Sequence, residues 1–217
     1  RQTDRQTDRQ TDRQTGLIRL LQYVYGFVSV TLGNLVNFVN GKGHERAISE
    51  LGDYIVVNSK FISTNGIVKK YCNEQISPLY KNDITMVMSD LPNGRALAKC
   101  YLIMENNLYT LNQRICAVRI KDKSFSHVKF LYYMLNRNNQ LLRFDNGVDQ
   151  TNLKKEDILN IIIPMPSIKK QQEIVETLDN FDKLVNDLSN GIPAEIEARQ
   201  KQYEFYRDKL LNFKRKN

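Results

Sequence analysis

Six cations and two carboxamides stand where the apolar runs of this chain break. Lys42, Lys60, Lys69, Lys70, Arg95 and Arg114 fall in or beside expected loops and strand ends, as do Asn58 and Asn112. Lysine and arginine at such positions suit phosphate oxygens, and asparagine can pair bidentately with an adenine edge. Asn65 and Asn93 share that second capacity. Taken singly, each is an ordinary solvated group; the pattern gains meaning only as a set. Tyr54, Tyr71, Tyr80 and Tyr101 are candidates for stacking on bases, but their strand positions favour core packing.

Residues for other chemistry are missing from the pattern. The sequence has no GxGxxG or Walker loop, no HExxH and no GxSxG. S-D-L-P at 89–92 resembles a methyltransferase D-P-P-Y motif only superficially and reads as a turn. Asp83, Asp90 and Glu105 lack the lysine spacing of a nuclease cluster. Cys72, Cys100 and Cys116 are far apart, with no CxxC and neither histidine near them, so a zinc site is not expected. No catalytic residue, metal or cofactor is expected, and buried free thiols in a reducing cytoplasm are the simple reading. Residues 20–41 lack charge, yet Gln22, Ser29, Thr31, Asn34, Asn37 and Asn40 interrupt them, so no membrane span is expected.

The elements that must hold those side chains read as α+β. Y-I-V-V (Tyr54–Val57), residues 66–71, 84–89, 95–103 and 110–120 are β-rich runs bounded by turn residues. Ser126 is expected to cap a helix with Val128, Leu131, Met134 and Leu135 on one face. A short helix is expected over 154–159. Lys and Arg number 32 against 24 Asp and Glu, a net +8. Residues 16–167 carry eighteen basic and twelve acidic residues, whereas 168–217 carry ten and nine. The positive field therefore belongs to the domain, and it attracts polyanions, nucleic acid first among them.

Residues 1–15 repeat R-Q-T-D with no apolar residue, so disorder is expected there, with 16–30 an uncertain leader. The tetranucleotide AGAC, read in triplets, gives AGA-CAG-ACA-GAC, which encodes Arg-Gln-Thr-Asp. Such tracts slip during replication, so phase-variable expression is a reading of this segment; mixed codons in the gene would exclude it.

Beyond the domain, Pro164 and Pro166 are expected to end the strand-like I-I-I, with Ser167 a helix cap. Ile174, Leu178, Phe181, Val185 and Leu188 recur at alternating spacings of four and three, a coiled-coil seam. S-N-G-I-P at 189–193 interrupts it, and Pro193 suits the first turn of a new helix. Ile196, Tyr203 and Leu210 then fall seven apart, with Tyr206 and Phe213 in the companion position. Such a seam asks for a partner helix in the same polypeptide, a second copy or another subunit. The expectation is that this chain lacks it, and that these ten residues form a dimer or subunit interface.

Three stretches carry a resemblance: T-L-G-N-L-V-N-F-V-N-G-K-G, K-N-D-I-T-M-V-M-S, and G-V-D-Q-T-N-L-K-K-E-D-I-L-N-I-I-I-P-M-P-S-I-K-K-Q-Q-E-I-V-E-T-L-D. With P-A-E-I-E-A-R-Q-K-Q-Y-E-F-Y-R-D-K-L-L-N-F they span about residues 31–215. The chain resembles the specificity subunits of type I restriction–modification systems, in a half-length form. The resemblance implies a strand-rich target-recognition domain over 31–166 and conserved spacer helices over 167–215 that form a coiled coil. It implies recognition of one half of a bipartite site in double-stranded DNA, and assembly with modification (methyltransferase) subunits and a restriction subunit. Cytoplasmic, non-catalytic action follows, with a second copy or another half-subunit completing the scaffold. K-N-D-I departs from the commoner G-D-I form at a turn. The alternatives are a truncated fragment of a two-domain subunit, an enzyme with a domain of this type, or a coiled-coil adaptor with no DNA role.

Overall fold

The β-branched runs become short strands, and only a few residues of each run enter a ladder. The computed structural model describes residues 19–44, 46–92, 94–187 and 193–213. The R-Q-T-D repeat, Asn93 and Leu188 lie outside them, as do the side chains of Val185 and Ile196. The chain divides into two units: Thr31–Ile163, and the residues before Thr31 together with those after Ile163.

In the first unit, β2 (Val36–Asn40), β9 (Ile115–Ile120), β5 (Ile84–Val87) and β7 (Cys100–Leu102) form an antiparallel sheet in that order. Every residue of β5 is buried, as a central strand of I-T-M-V demands. A second sheet has β3 (Tyr54–Val57) between β4 (Tyr71–Cys72) and β8 (Tyr109–Leu111), and β3 runs parallel to β8. Ile55, Val57, Val87, Leu111, Ile115 and Phe61 of α3 (Ser59–Ser63) share one apolar core. Phe61 lies at its centre, edge-on to Tyr101 at 4.8 Å and to Tyr109 at 5.9 Å. A third, short pairing joins β6 (Ser89–Asp90) to β10 (Thr151–Asn152).

Several expectations are corrected. Of 66–71 only Tyr71 enters a strand, and of 95–103 only Cys100–Leu102. The loop before β7 is instead wound around Asp90, whose carboxylate accepts the amides of Leu91, Ala96 and Leu97. Gly94 is required there, because a Cβ would strike that carboxylate. The run 110–120 splits at a turn into β8 and β9. Helix α4 (Val128–Leu135) is capped by His127, whose Nδ1 accepts the Phe130 amide at 3.4 Å, while the buried Ser126 hydroxyl has no partner among the described residues. The remaining helices here are α2 (Leu32–Leu35), α5 (Asn139–Leu142) and α6 (Lys155–Leu159), the last as expected.

The second unit joins the two flanks of the chain. Residues 19–25 form helix α1, and Gln22 Nε2 donates to the carbonyls of Met165 and Pro166 at 3.1 and 3.0 Å. β1 (Val28–Thr31) pairs with β11 (Ile162–Met165), so the strand continues through Pro164 rather than stopping before it. A proline is tolerated in an edge strand, where the ladder can lack one donor. Helix α7 (Ile168–Asp187) starts behind Ser167, whose hydroxyl accepts the Lys170 amide at 3.4 Å. It buries Ile174, Val175 and Leu178. Helix α8 (Pro193–Leu211) packs on α7, and Phe181 stacks on Tyr206 with centroids 5.5 Å apart. Only five positions separate the two helices, so α8 runs back along α7. The expectation of an absent partner is thereby revised: the seam of α7 finds a partner in the next helix of its own chain.

Candidate nucleic-acid interface

Strand register gathers the polar candidates. The parallel pairing of Val57 with Leu111 sets Asn58 beside Asn112, and the Asn112 amide donates to the Val57 carbonyl at 3.1 Å. On one side, the Val56 amide donates to the Lys70 carbonyl at 2.8 Å, which lays Lys69 and Lys70 along the last residues of β3. On the other side, Lys42 bridges Asn112: its amide donates to Leu111 O, and its carbonyl accepts the Gln113 amide. Gly41 permits that approach, since a Cβ would enter the Asn112 carbonyl. Arg114 closes the turn with φ +67° and leads into β9. Lys69, Lys70, Asn58, Asn112, Lys42 and Arg114 thus form a row at one end of the sheets. All four cations of the row are exposed, and Lys60 is exposed in the first turn of the adjacent α3. Arg95 is carried on the separate loop wound around Asp90.

The two asparagines differ in what they can offer. Asn58 Oδ1 accepts the Phe61 amide at 2.9 Å and caps α3. That cap occupies one lone pair of Oδ1 and fixes the side chain against α3, so its orientation is set by the helix. Asn112 has no such duty. Behind Lys42, His44 is 1% exposed and spans Lys42 O at 2.8 Å and Thr110 Oγ1 at 2.7 Å. Both ring nitrogens thus have a partner, and the Thr110 hydroxyl donates to the Ser77 carbonyl at 3.2 Å. The loop carrying Lys42 is therefore anchored to β8 from inside.

A cleft of about 240 Å³ opens beside the row, lined by Asn40, Gly41, Ser89, Arg114 and Asn152 among others. Gln150 Nε2 donates to Ser89 Oγ at 2.7 Å on its wall. Asn40, Ser89, Gln150 and Asn152 were not singled out from sequence. The available signal was the G-V-D-Q-T-N-L stretch, which supplies two of them from far along the chain.

The remaining candidates have structural duties. Asp83 forms a bidentate pair with Arg119, Asp90 holds its loop, and among the described residues no group of His, Cys, Asp and Glu could hold a metal. Burial pushes the Tyr109 phenol up to about 12, and Tyr71 and Tyr80 are exposed. All three cysteines are buried and free. Lys99 donates to Ser63 O, and burial, with Arg137 nearby, pulls its pKa down. In the helical pair, Ile174 and Leu178 are buried, Tyr203 and Leu210 half-buried, and Phe213 lies 5.6 Å from Phe27. Among the described residues, no helix is long and apolar enough to cross a membrane.

Solved structures share this arrangement of sheets and helices. A type I restriction–modification S subunit from M. genitalium superposes with a TM-score of 0.59 at 19% identity, over 76% of this chain and 41% of that one. A chain from a study of complex assembly and conformational transition of the type I system gives 0.61 at 16% identity, over 95% of this chain and 53% of that one. These likenesses establish the fold. The family of type I restriction modification DNA specificity domains matches residues 25–198, and the chain belongs to it. It covers one recognition domain. It is 42% identical over 107 residues to the EcoR124I/EcoR124II specificity subunit of Escherichia coli, 48% of this chain and 26% of that protein. A putative type I specificity subunit of Mycoplasma pneumoniae is 31% identical over 109 residues, 50% of this chain and 35% of that protein. The chain thus spans about a quarter to a third of these relatives, and about half of the second solved chain.

Proposed function

We propose that the chain is the non-catalytic DNA-recognition component of a type I restriction–modification complex, reading one half of a bipartite site in double-stranded DNA. The observation that carries this reading is the parallel β3–β8 pairing, which aligns Lys69, Lys70, Asn58, Asn112, Lys42 and Arg114 at one end of the fold. Lysines there neutralise phosphates and set register, while Asn112 and Arg114 offer base-edge contacts. Lys60 and Arg95 are flanking phosphate contacts in this reading. The relatives are named as specificity subunits, which supports a positioning role toward modification and restriction subunits. No cofactor is needed for it.

The test is single-molecule methylation mapping in cells that express the chain with cognate modification subunits. Asn112→Asp and Arg114→Ala should change or abolish the methylated half-site, whereas Lys42→Ala should weaken methylation at an unchanged motif. An unaltered pattern in all three would overturn the assignment.

A second reading concerns assembly. The chain aligns over 95% of its own length with 53% of a solved chain, which supports two copies, or this chain and another half-subunit, building one scaffold. The helical pair α7–α8 is the proposed contact, through Phe205, 62% exposed, rather than through Leu178, which is buried. A fragment of a longer, phase-variable subunit is the competing account. Light scattering decides between them: a monomer that Phe205→Glu leaves unchanged excludes the dimer.

A further inference from the structure

A second cationic site lies at the opposite end of β9 from the row. β9 runs from Ile115, beside Arg114, to Ile120, so its six residues at about 3.3 Å each set the ends roughly 17 Å apart. At the far end is a cleft of about 320 Å³ whose lining includes Tyr80, Lys81, Asp83, Arg119 and Lys123.

Its floor is preorganised. Asp83, 1% exposed, accepts Arg119 Nε on Oδ1 and Nη2 on Oδ2, each at 2.7 Å, and the Tyr80 amide donates to Oδ2 at 2.9 Å. The guanidinium also lies over the Tyr80 ring, 4.7 Å from its centroid. The hydrogen bond to Asp83 and that charge push the Arg119 pKa further up, so it stays a cation. A guanidinium presents donors on two edges, and Asp83 takes one. The Nη1 edge has no hydrogen bond to a described residue, and the side chain is 41% exposed. Because Asp83 offsets Arg119, the net charge of the cleft comes from the exposed Lys81 and Lys123. Lys121, between Arg119 and Lys123 in sequence, donates to Gly33 O at 2.8 Å. Asp122 turns its carboxylate to the Ser124 amide and hydroxyl at 2.8 and 2.7 Å.

We propose that this cleft docks an acidic segment of a protein partner, with one carboxylate on the free edge of Arg119 between Lys81 and Lys123. Charge complementarity selects the partner, and position selects protein over nucleic acid. A duplex lying against the row approaches the other end of the sheet, an argument that rests on the recognition reading above. The chain would then carry two separate cationic surfaces, one for DNA and one for a neighbour in the complex.

The experiment compares wild type with Lys81→Glu/Lys123→Glu and with Lys169→Glu/Lys183→Glu, a control with the same net charge change on exposed positions of α7. Anisotropy at low salt reads binding of a labelled hexaglutamate peptide and, in parallel, of a duplex oligonucleotide; circular dichroism checks folding. The cleft variant should lose at least tenfold in peptide affinity while duplex affinity stays within twofold, and the control should keep peptide binding. Lys123→Gln supplies a milder change should the reversal disturb the fold, with a loss of about threefold expected. Peptide affinity unaffected by the cleft variants, or reduced as much in the control, overturns the proposal. Parallel loss of duplex affinity overturns it in favour of a DNA phosphate in the cleft. Lys42→Ala/Arg114→Ala on the same duplex separates this outcome from failure of the recognition reading, which would show as unchanged duplex binding.

Discussion

Arg114 holds φ +67°, a backbone region that costs an L-residue about 1 kcal/mol and that glycine enters freely. Arg114→Gly should therefore raise the urea midpoint slightly while duplex affinity falls about tenfold, a loss of about 1.4 kcal/mol. A variant that lost stability as well would mean the arginine is structural. At Asp83 the expectation has the opposite sign. Arg119→Ala leaves a buried carboxylate with one amide donor, and should cost on the order of 3 kcal/mol by denaturant unfolding. The thiols add a pH dependence. Burial lifts Cys116 from 9.0 to about 12, so the native state resists ionisation. Its stabilising effect is complete below about pH 9 and is lost as pH rises toward 12. Cys116→Ala should shallow the fall in urea midpoint across that interval. The side chains of the row were legible as types, since basic and amide residues stood at run ends. Their adjacency was not, because Lys42 and Asn112 meet only through non-local pairing. The cap made by Asn58 was hidden for the same reason that caps often are: Asn serves equally well as a reader and as a helix stop.

At the scale of elements, strands with uninterrupted β-branched runs were legible, and Tyr54–Val57 forms β3 without a shift in its bounds. Residues 66–71 and 95–103 misled because side-chain and loop hydrogen bonds replace the ladder there. Thr64 accepts the Val68 amide, and Asp90 gathers three more. The break between α7 and α8 was legible from Gly191 and Pro193, as was the heptad pattern of α7. What periodicity does not specify is the partner, since a seam of Ile, Leu and Phe packs on any complementary helix. The aromatic stack of Phe181 on Tyr206 supplies that information. Leu178→Asp, at a side chain with 0% exposure, should therefore unfold the helical unit by several kcal/mol. Circular dichroism would register lost helix and a lower melting temperature. Retained helicity with only a change of oligomer would restore the earlier reading of Leu178 as an interface residue.

For the whole molecule, the surplus of positive charge predicts strong salt dependence. If Lys42, Lys60, Lys69 and Lys70 each meet a phosphate, duplex affinity should fall about a hundredfold between 50 and 200 mM salt, and Lys69→Ala should flatten the slope by about one unit. A slope near zero in log–log form would remove DNA as the ligand. Family membership was legible because the junction motif spans both the end of the recognition unit and the start of α7. The packing of residues 19–30 with the far end of the chain was not, since nothing in a short apolar segment names its partner. That packing has a temporal consequence. The carbonyls that receive Gln22 lie 143 and 144 positions downstream. At about 5–20 residues per second of synthesis, helix α1 waits roughly seven to thirty seconds for its acceptors. Every partner within Thr31–Ile163 is made before them, so the recognition unit can fold on the ribosome while the flanking unit is still open. Leu20, Tyr23 and Val24 are exposed in the structure as well, so this apolar face is open to solvent during that interval and after it.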